Sequence, residues 1–364
     1  MRGPGWPCIP AGVTAPRCQT TRLRKSREGS RVAKIRETTA LRVSVVINTL
    51  NRAQCIAAAI DGSLRQTHPA AEIIVVNGPS TDSSTSVIAE FRDRIRIVDI
   101  PQANLGISRN VGLSSAKGEI VAFVDDDAVP EPNWLEHLCT AYTDENVGAA
   151  GGFVIDAASG EYQWQVCTCA RAGEVNTNTQ GSLDGFVLPG ADPFLYLAGC
   201  NMSFRRSAIL SVGGFDESLE YGYDDAEACM RIIDLGYRIR VVPEAKVRHS
   251  PRANDVRDDA MMLRDPYKAL ASQAIFVFRN SAERGIPPDP EAVIGRQLIN
   301  ITRHGHALAQ QGHLNAETLA TYLARSQQGV VDGTRIGQSP RPMRAFAAPS
   351  MLAQVVQLFR NMAG

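Results

Sequence analysis

Three consecutive carboxylates, Asp125, Asp126 and Asp127, are the residues of this sequence that point most directly to chemistry. They follow the apolar run 120–124, which predicts a short buried strand. Adjacent carboxylates repel each other and are costly to bury, so a divalent cation would stabilise them. Such oxygen ligands suit Mg²⁺ or Mn²⁺, with water and phosphate completing the shell. The alternative is a solvated acidic turn that caps the next helix.

A second acidic pair, Asp224 and Asp225, lies at the predicted start of a helix that runs to about residue 235. The dipole at a helix start keeps a carboxylate ionised, and an ionised carboxylate can accept a proton from a hydroxyl group. We therefore expect both carboxylates to stay ionised at this helix start. Asp225 as a plain helix cap is the alternative.

Strands and helices alternate around the first acidic group. The sequence predicts strands at 43–47, 72–76, 95–100 and 120–124, and helices at 53–66, 83–91, 108–116 and 133–143. This alternation is typical of βαβ units, which form a parallel sheet with right-handed crossovers. The polar loops 48–52, 77–82 and 125–127 would then meet at one edge of the sheet, where a nucleotide could bind.

Two common nucleotide-binding motifs are absent after the first strand. The chain has no G-x-G-x-x-G there and no Walker A sequence. These absences argue against a dinucleotide-binding Rossmann domain and against a P-loop ATPase.

The second half of the chain is less regular. A loop-rich insert at 151–197 is followed by strands at 237–242 and 247–249. Helices are predicted at 261–283, 291–311 and 316–328, and a turn-rich gap with Gly333, Gly337, Pro340 and Pro342 follows. A last amphipathic helix at 351–362 could lie on a membrane surface or dock on the protein.

Composition narrows the class of protein. The hydrophobic share of 44% and the charged share of 21% are ordinary for a globular protein, and no run is long enough to cross a bilayer. Residues 1–40 hold nine Lys or Arg and two Glu, which predicts a disordered basic tail rather than a nucleic-acid-binding one. The eight scattered cysteines indicate reduced thiols, and no secretory signal is evident, so we expect a cytoplasmic protein.

Taken together and in order, these motifs resemble the family 2 glycosyltransferases, which are inverting nucleotide-sugar enzymes of the GT-A fold. The matching residues are Thr49, Asn51 and Arg52, the loop 76–82, Asn104 to Gly106 with Ser108 to Asn110, Asp125 to Asp127, Gly214 to Glu217, and Asp224, Asp225, Glu227 and Arg231. The resemblance implies an α/β protein with a mostly parallel sheet flanked by helices. It implies a GT-A domain at 41–255 and a helical C-terminal extension at 256–364.

The resemblance also implies a reaction. A metal-dependent enzyme would move a sugar from a nucleotide-sugar donor, preferably a UDP-sugar, to a hydroxyl group of a glycan or lipid-linked acceptor. Such a reaction would serve polysaccharide or glycoconjugate assembly, and a peripheral contact with the inner face of the cell membrane would suit a lipid-linked acceptor.

The resemblance assigns a role to each candidate residue. Asp225 matches the position of the base, with Asp224 beside it. Asp127 is the implied ligand of Mg²⁺ or Mn²⁺, Asp125 is a second candidate, and His249 is either a third ligand or structural. The candidates for substrate binding are Thr49, Asn51, Arg52, Asn77, Asp82, Arg109, Asp125, Asp126 and Asn201.

Several of these roles have a structural alternative. Asn77 could form an Asx-turn, Asp82 could cap a helix, and Arg109 could belong to a structural ion pair. Asn77 also stands where the family often has Asp, so the choice of nucleobase is open. We expect core packing for Trp134, whereas Trp164 lies in the insert where an acceptor could bind.

Two other functions compete with sugar transfer. The first is a non-catalytic GT-A module that binds a nucleotide sugar or glycan. The second is a metal-dependent nucleotidyltransferase, which would need a phosphate-binding loop after the first strand, and Asn51 with Arg52 matches such a loop poorly.

Overall fold

A computed structural model of the protein describes residues 41–179, 189–258, 260–282 and 289–342. The predicted basic tail at 1–40 and the predicted last helix at 351–362 lie outside these ranges. The strands are β1 (Val43–Thr49), β2 (Glu72–Asn77), β3 (Arg96–Asp99), β4 (Ile120–Asp125), β5 (Ala128–Pro130), β6 (Val147–Asp156), β7 (Tyr162–Trp164), β8 (Cys167–Cys169), β9 (Val175–Asn176), β10 (Phe194–Tyr196), β11 (Met202–Arg205) and β12 (Arg238–His249). The helices are α1 (Ile56–Leu64), α2 (Ser84–Ala89), α3 (Leu105–Ser115), α4 (Trp134–Ala141), α5 (Arg206–Ser211), α6 (Asp224–Asp234), α7 (Tyr267–Ala282), α8 (Pro290–Gln310) and α9 (Ala316–Gly337).

A nine-stranded mixed sheet forms the centre of the described chain, in the order β3-β2-β1-β4-β11-β6-β12-β5 with β7 beside β6. The strands β1 to β4 are parallel, and every residue of β1 is buried, as Val- and Ile-rich strands covered on both faces should be. The predicted α/β sheet flanked by helices is confirmed. The antiparallel β11, between β4 and β6, was not evident from the βαβ pattern because it follows the irregular insert.

The strand register brings polar residues to one edge of the sheet. Thr49 lies opposite Asn77 of β2, and Asn48 lies opposite Asp125 of β4. The two strands predicted at 237–242 and 247–249 are one strand, β12, with a register shift after Val242 where Pro243 lacks a donor. β12 ends at His249, opposite Ala128 and therefore next to Asp127. The register thus joins residues that are far apart in the sequence.

Two hydrophobic cores cover the two faces of the sheet. Successive residues of a strand point to opposite faces, and Val45 and Ile47 accordingly enter one core while Val46 enters the other. The first core contains Trp134, whose side chain is fully buried as predicted. The second core includes residues of α3, α6 and α7.

The C-terminal helices α7, α8 and α9 pack around a small hydrophobic cluster of their own. Other residues of α7 belong to the second core of the sheet. The prediction of a turn-rich gap at Gly333 and Gly337 is wrong, because both residues lie inside α9. These glycines permit a close approach to α7, since a Cβ atom on Gly333 would lie 2.5 Å from the carbonyl oxygen of Ala271. Within the described ranges, no helix is long and apolar enough to cross a membrane.

A pair of Gly→Ala substitutions tests the contact between α7 and α9. Gly295→Ala, on the open surface of α8, should stabilise the protein by about 0.5–1 kcal/mol through helix propensity. Gly333→Ala should instead destabilise it by about 1–3 kcal/mol because the helices must separate. Denaturant titration gives both free energies of unfolding, and equal values would contradict the close contact.

Candidate active site

The three adjacent carboxylates at the end of β4 have different surroundings. The side chain of Asp125 is 35% exposed, whereas those of Asp126 and Asp127 are 12% and 7% exposed. Asp126 forms an ion pair with Arg52, with 3.4 Å between Oδ1 and Nε. Oδ1 of Asp127 lies 3.2 Å from Nε2 of His249. Each carboxylate therefore faces a different cation or potential cation.

The pKa values of these carboxyls follow their surroundings. Burial, reinforced by the charge of Asp127, raises the pKa of Asp126 to about 8. Burial also opposes ionisation of Asp127, but the hydrogen bond and charge of His249 outweigh it and hold the pKa of Asp127 below its usual value. Burial raises the pKa of Asp125, and nearby Arg109 offsets only part of that effect. Asp127 is therefore the member of the triplet that most readily carries a negative charge.

His249 is held in one orientation by two residues of the insert. Its Nδ1 lies 2.8 Å from Oε1 of Gln163, and its ring lies 5.4 Å from that of Trp164. An amide oxygen only accepts hydrogen bonds, so Nδ1 carries a proton and Nε2 faces Asp127. A second proton or a shared cation can bridge that gap, and this arrangement is typical of metal-binding histidines. Gln163 was not predicted, because it lies in the irregular insert and belongs to no motif.

The donor atoms of Asp127 and His249 fit a divalent cation. One carboxylate oxygen and one imidazole nitrogen face each other, and both side chains are buried. In the part of the chain that the structure describes, no three His, Cys, Asp or Glu side chains form a group able to hold a metal ion. Phosphate oxygens and water would complete the shell, as is usual for Mg²⁺. Asp125, predicted as a further ligand, faces Arg109 instead.

The loops that follow β1 and β2 are joined by hydrogen bonds. Asn51 adopts a left-handed backbone conformation with φ 55°, which Asn tolerates, and its Oδ1 accepts a hydrogen bond from Thr81 N at 2.7 Å. The carboxylate of Asp82 accepts hydrogen bonds from the backbone N–H groups of Ala53 and Ser84 at 3.1 and 2.9 Å. Asp82 thus joins both loops at the start of α2. Asn51 and Asp82 remain exposed at this edge.

Of the residues predicted to bind substrate, Thr49, Asn77 and Asn201 are buried, as are Arg109 and Asp126. Asn77 is 4% exposed, and its amide donates to Oδ1 of Asp99 at 2.9 Å. Asn201 is fully buried; its Oδ1 accepts from Trp134 Nε1 at 2.7 Å, and its amide donates to two backbone carbonyls. Thr49 is 5% exposed. The polar atoms of Asn77 and Asn201 thus hold neighbouring elements in place, and a role of these residues in substrate binding stays a prediction.

Arg109 on α3 joins the two acidic groups of the site. Its guanidinium forms an ion pair with Asp224, and its Nη2 lies 3.8 Å from Oδ1 of Asp125. The side chain is almost fully buried and lies over the ring of Phe215, 5.5 Å from its centroid. The structural ion pair considered from the sequence is thus present. Through these two contacts, the side chain of Arg109 bridges the start of α6 and the end of β4.

Asp225 and Asp224 have different environments. Asp225 is partly exposed, and its two carboxylate oxygens accept hydrogen bonds from Gly199 N at 3.0 Å and Ala226 N at 2.7 Å. Burial raises the pKa of Asp225, while Arg109 and the two N–H groups oppose that rise. Asp224 is 4% exposed and bound to Arg109. Asp225 is therefore the member of the pair that a substrate can reach.

Glu227 and Arg231, which follow the acidic pair on α6, stabilise the backbone of the preceding turn instead of facing the site. Glu227 is 1% exposed, and its Oε2 lies 2.5 Å from Nη2 of Arg231 on the same helix. Arg231 in turn donates to the carbonyl oxygens of Val212 and Gly214. The ion pair of Glu227 and Arg231, four positions apart on α6, thus stabilises the turn before this helix.

Two family models match parts of this chain. Residues 44–213 match the model described as Glycosyl transferase family 2, and residues 192–253 match one described as N-terminal domain of galactosyltransferase. The chain is 33% identical to the pre-mycofactocin glycosyltransferase of Mycobacterium tuberculosis over 40% of its own length and 30% of that protein. It is 28% identical to the glucosyl-dolichyl phosphate glucuronosyltransferase of Haloferax volcanii over 57% of its own length and 69% of that protein. The chain thus spans less than two thirds of the first of these relatives.

A solved structure is also similar in fold. The crystal structure of GalNAc-T7 with UDP, GalNAc and Mn²⁺ superposes with a TM-score of 0.53 at 15% identity, covering 71% of this chain and 54% of that one. This similarity confirms the predicted GT-A fold.

Two matched Asp→Asn substitutions should separate the acidic pair by stability. Asp224→Asn should cost about 3 kcal/mol, because buried Arg109 loses its closest charged partner and keeps only weaker interactions with Asp125 and Asp225. Asp225→Asn should cost about 1 kcal/mol or less, because an amide oxygen still accepts one of the two backbone hydrogen bonds. Denaturant titration measures both. Equal losses would contradict the assignment of Asp224 as the buried partner.

Proposed function

Because residues 44–213 match the model of glycosyltransferase family 2, we propose that this protein transfers a sugar from a nucleotide sugar to a hydroxyl acceptor with inversion at the anomeric carbon. The observation that carries the proposal is the double contact of Arg109 with Asp125 and Asp224. It holds a partly exposed carboxylate, Asp225, near the acidic edge of the sheet. An inverting transfer needs these two parts, a base and a site for the leaving diphosphate, within reach of one sugar.

In the proposed reaction Asp225 acts as the general base. It accepts the proton of the acceptor hydroxyl while that oxygen attacks the anomeric carbon and the bond from this carbon to the diphosphate breaks. The raised pKa of Asp225 suits this role, because a more basic carboxylate accepts a proton more readily. Gly199 N–H and Ala226 N–H fix the orientation of the carboxylate before the acceptor arrives.

The donor would bind at the edge formed by the loops after β1, β2 and β4. Asn51, Asp82 and Asp125 are the exposed polar residues there, and Arg52 lies close to the triplet through its contact with Asp126. Asp127 and His249 would hold Mn²⁺ or Mg²⁺, and a bound divalent cation would neutralise charge on the leaving diphosphate. Asn77 and Thr49 would support these loops from inside.

Two of the comparisons bear on the finer features of the proposed reaction. UDP is the nucleotide we propose, and the crystal structure of GalNAc-T7 with UDP and Mn²⁺ makes UDP with Mn²⁺ the first pair to test. The Haloferax volcanii relative is named for a dolichyl phosphate substrate, which supports a lipid-linked acceptor. Assembly of a polysaccharide or glycoconjugate in the cytoplasm at the inner face of the membrane stays a prediction.

The Asp225→Asn substitution tests the proposed base. Asn keeps the size of the side chain but cannot accept a proton, so the transfer rate should fall about 10²–10⁴-fold. Affinity for UDP with Mn²⁺, measured by calorimetry, should change little because the donor loops are untouched. Nucleotide release from a panel of UDP-, GDP- and dTDP-sugars measures the rate. A wild-type protein that binds UDP with no turnover would favour the non-catalytic module, and an active Asp225→Asn would refute the base.

The metal assignment is tested by direct binding of Mn²⁺ in the presence of UDP. His249→Ala should weaken the affinity for Mn²⁺ about 10-fold or more. Gln163→Ala should weaken it about 10-fold, because the imidazole of His249 loses its orientation. His137→Ala is the matched control, since His137 is half-buried on α4 and its ring forms a hydrogen bond with the amide of Asn133, which is not a residue of the candidate site. Electron paramagnetic resonance of free Mn²⁺ gives the affinities without any turnover. Equal affinities for all three variants would remove His249 from the metal site.

A further inference from the structure

The segment that leads into the base carries an unusual backbone. Residues 213–223, named here the base loop, connect α5 to α6 and end directly before Asp224 and Asp225. Gly213, Gly214 and Gly222 have positive φ angles, and so does Tyr223, with φ 65°. A non-glycine residue in the left-handed region costs free energy and persists only where surrounding contacts hold it. The position of Asp225 therefore depends on what holds the base loop.

The sheet domain holds one end of the base loop. Asn110 of α3 accepts a hydrogen bond from Phe215 N at 2.8 Å and donates one to Phe215 O at 2.9 Å. Arg231 donates to Gly214 O at 2.6 Å and is itself held by Glu227. These contacts fix residues 214 and 215. Asn104 at the start of α3 and Asn110 also donate to the carbonyl and carboxylate oxygens of Glu217, at 3.0 and 2.9 Å.

The helix α7 of the C-terminal extension contacts the rest of the base loop. Arg279 forms an ion pair with Asp216, whose side chain is fully buried, and also donates to Ser218 Oγ at 3.0 Å. Tyr221 N donates to Ser272 Oγ at 3.1 Å. Three positions of the base loop, residues 216, 218 and 221, thus contact the same helix.

The aromatic ring of Tyr223 completes this contact. It lies 4.9 Å from the ring of Phe276, between Ser272 and Arg279 on α7. The hydroxyl of Tyr223 donates to Gly173 O at 2.7 Å, so the residue in the left-handed conformation is held at both ends of its side chain. α7 therefore stabilises the strained residue that begins α6.

The end of the C-terminal extension also contacts the base loop and α6. Arg341, which follows α9, has Nη2 at 2.6 Å from Oε1 of Glu227 and Nε at 3.5 Å from Oδ2 of Asp216. Both carboxylates are almost fully buried. In the described ranges, the cations that form ion pairs with Asp216 are Arg279 and Arg341, and both belong to the extension. Without the extension, a buried charge beside the base would be left uncompensated.

We propose that Arg279 and Arg341 are positioning residues for the base, acting through Asp216 and Glu227 on the base loop and α6. The proposal rests on the proposed function, since it assigns the C-terminal extension a part in orienting Asp225. Neither arginine touches the substrate in this scheme. They keep the Asp225 carboxylate aimed at the acceptor hydroxyl, and they leave the donor loops after β1, β2 and β4 unaffected.

The test compares two Arg→Met substitutions in the same extension. Arg279→Met removes the closer of the two arginines that pair with Asp216, whereas Arg325→Met removes the partner of Asp265, which lies outside the base loop, with 2.6 Å between Nη2 and Oδ2. Arg279→Met should lower kcat about 10–100-fold, because small misplacements of a catalytic group have effects of this size. Its affinity for UDP with Mn²⁺ and its KM for donor should stay at wild-type values. Arg325→Met should retain wild-type kcat.

Three further measurements separate positioning from general stability. Arg279→Lys should recover part of kcat, since it restores the charge but not the two-pronged geometry. Arg341→Gln is a milder change at a partly exposed side chain, and it should lower kcat less than Arg279→Met does. Amide hydrogen exchange at residues 213–226 should be faster in Arg279→Met than in wild type, and unchanged in Arg325→Met.

The outcomes distinguish this inference from the proposed function. A wild-type kcat in Arg279→Met with unchanged exchange would overturn the inference while leaving the transferase intact. Equal losses of kcat in the two Met variants would also overturn it, because the effect would then be general destabilisation. If the wild-type protein transfers no sugar, the proposed function fails, and faster exchange confined to Arg279→Met would still establish that the extension holds the base loop.

Discussion

The buried guanidinium of Arg109 contacts Asp125 at the end of β4 and Asp224 at the start of α6. These two carboxylates come from different elements, 99 positions apart by their numbering, and would repel each other without a cation between them. Removing one partner from such a buried group leaves an uncompensated charge, which costs about 3–5 kcal/mol. The relative placement of the two halves of the candidate site therefore depends on this one side chain.

Arg109 is in turn supported by the hydrophobic core beneath it. Its guanidinium lies over Phe215, whose ring meets those of Phe123 and Phe204 edge to face at 5.2 and 5.7 Å. Asn110, the next residue on α3, bonds both backbone groups of Phe215. The polar site and the apolar core are thus joined at Phe215, so a change in core packing there would be transmitted to the acidic edge.

The aspartates of the site illustrate how position governs chemistry. Asp126 has a pKa raised to about 8, whereas its neighbour Asp127 has a lowered pKa because His249 compensates for its burial. Asp224 is buried in an ion pair with Arg109, whereas Asp225 is partly exposed. Identical side chains in adjacent positions thus differ in which one can bind a cation, accept a proton or hold another element.

The sequence alone was sufficient to predict the local elements and their order. The runs of Val and Ile, the polar loops that follow them and the helix start at Asp224 predicted β1, β2, β4 and α6 within a few residues. These features are local, since strand and helix formation depend mainly on side-chain periodicity over neighbouring residues. The types and order of the motifs also indicated the family whose model residues 44–213 match.

The tertiary structure decided which of the predicted residues are free to act. Asn77 and Asn201 looked like ligands but are buried, whereas Gln163, Arg279 and Arg341 had no local signal and yet contact the candidate site or its support. The reason is physical: burial and hydrogen-bond partners come from contacts between residues far apart in the chain, which the periodicity of a short segment does not contain. The sequence thus determined what chemistry was available, and the packing of the sheet against the C-terminal helices determined which side chains can perform it.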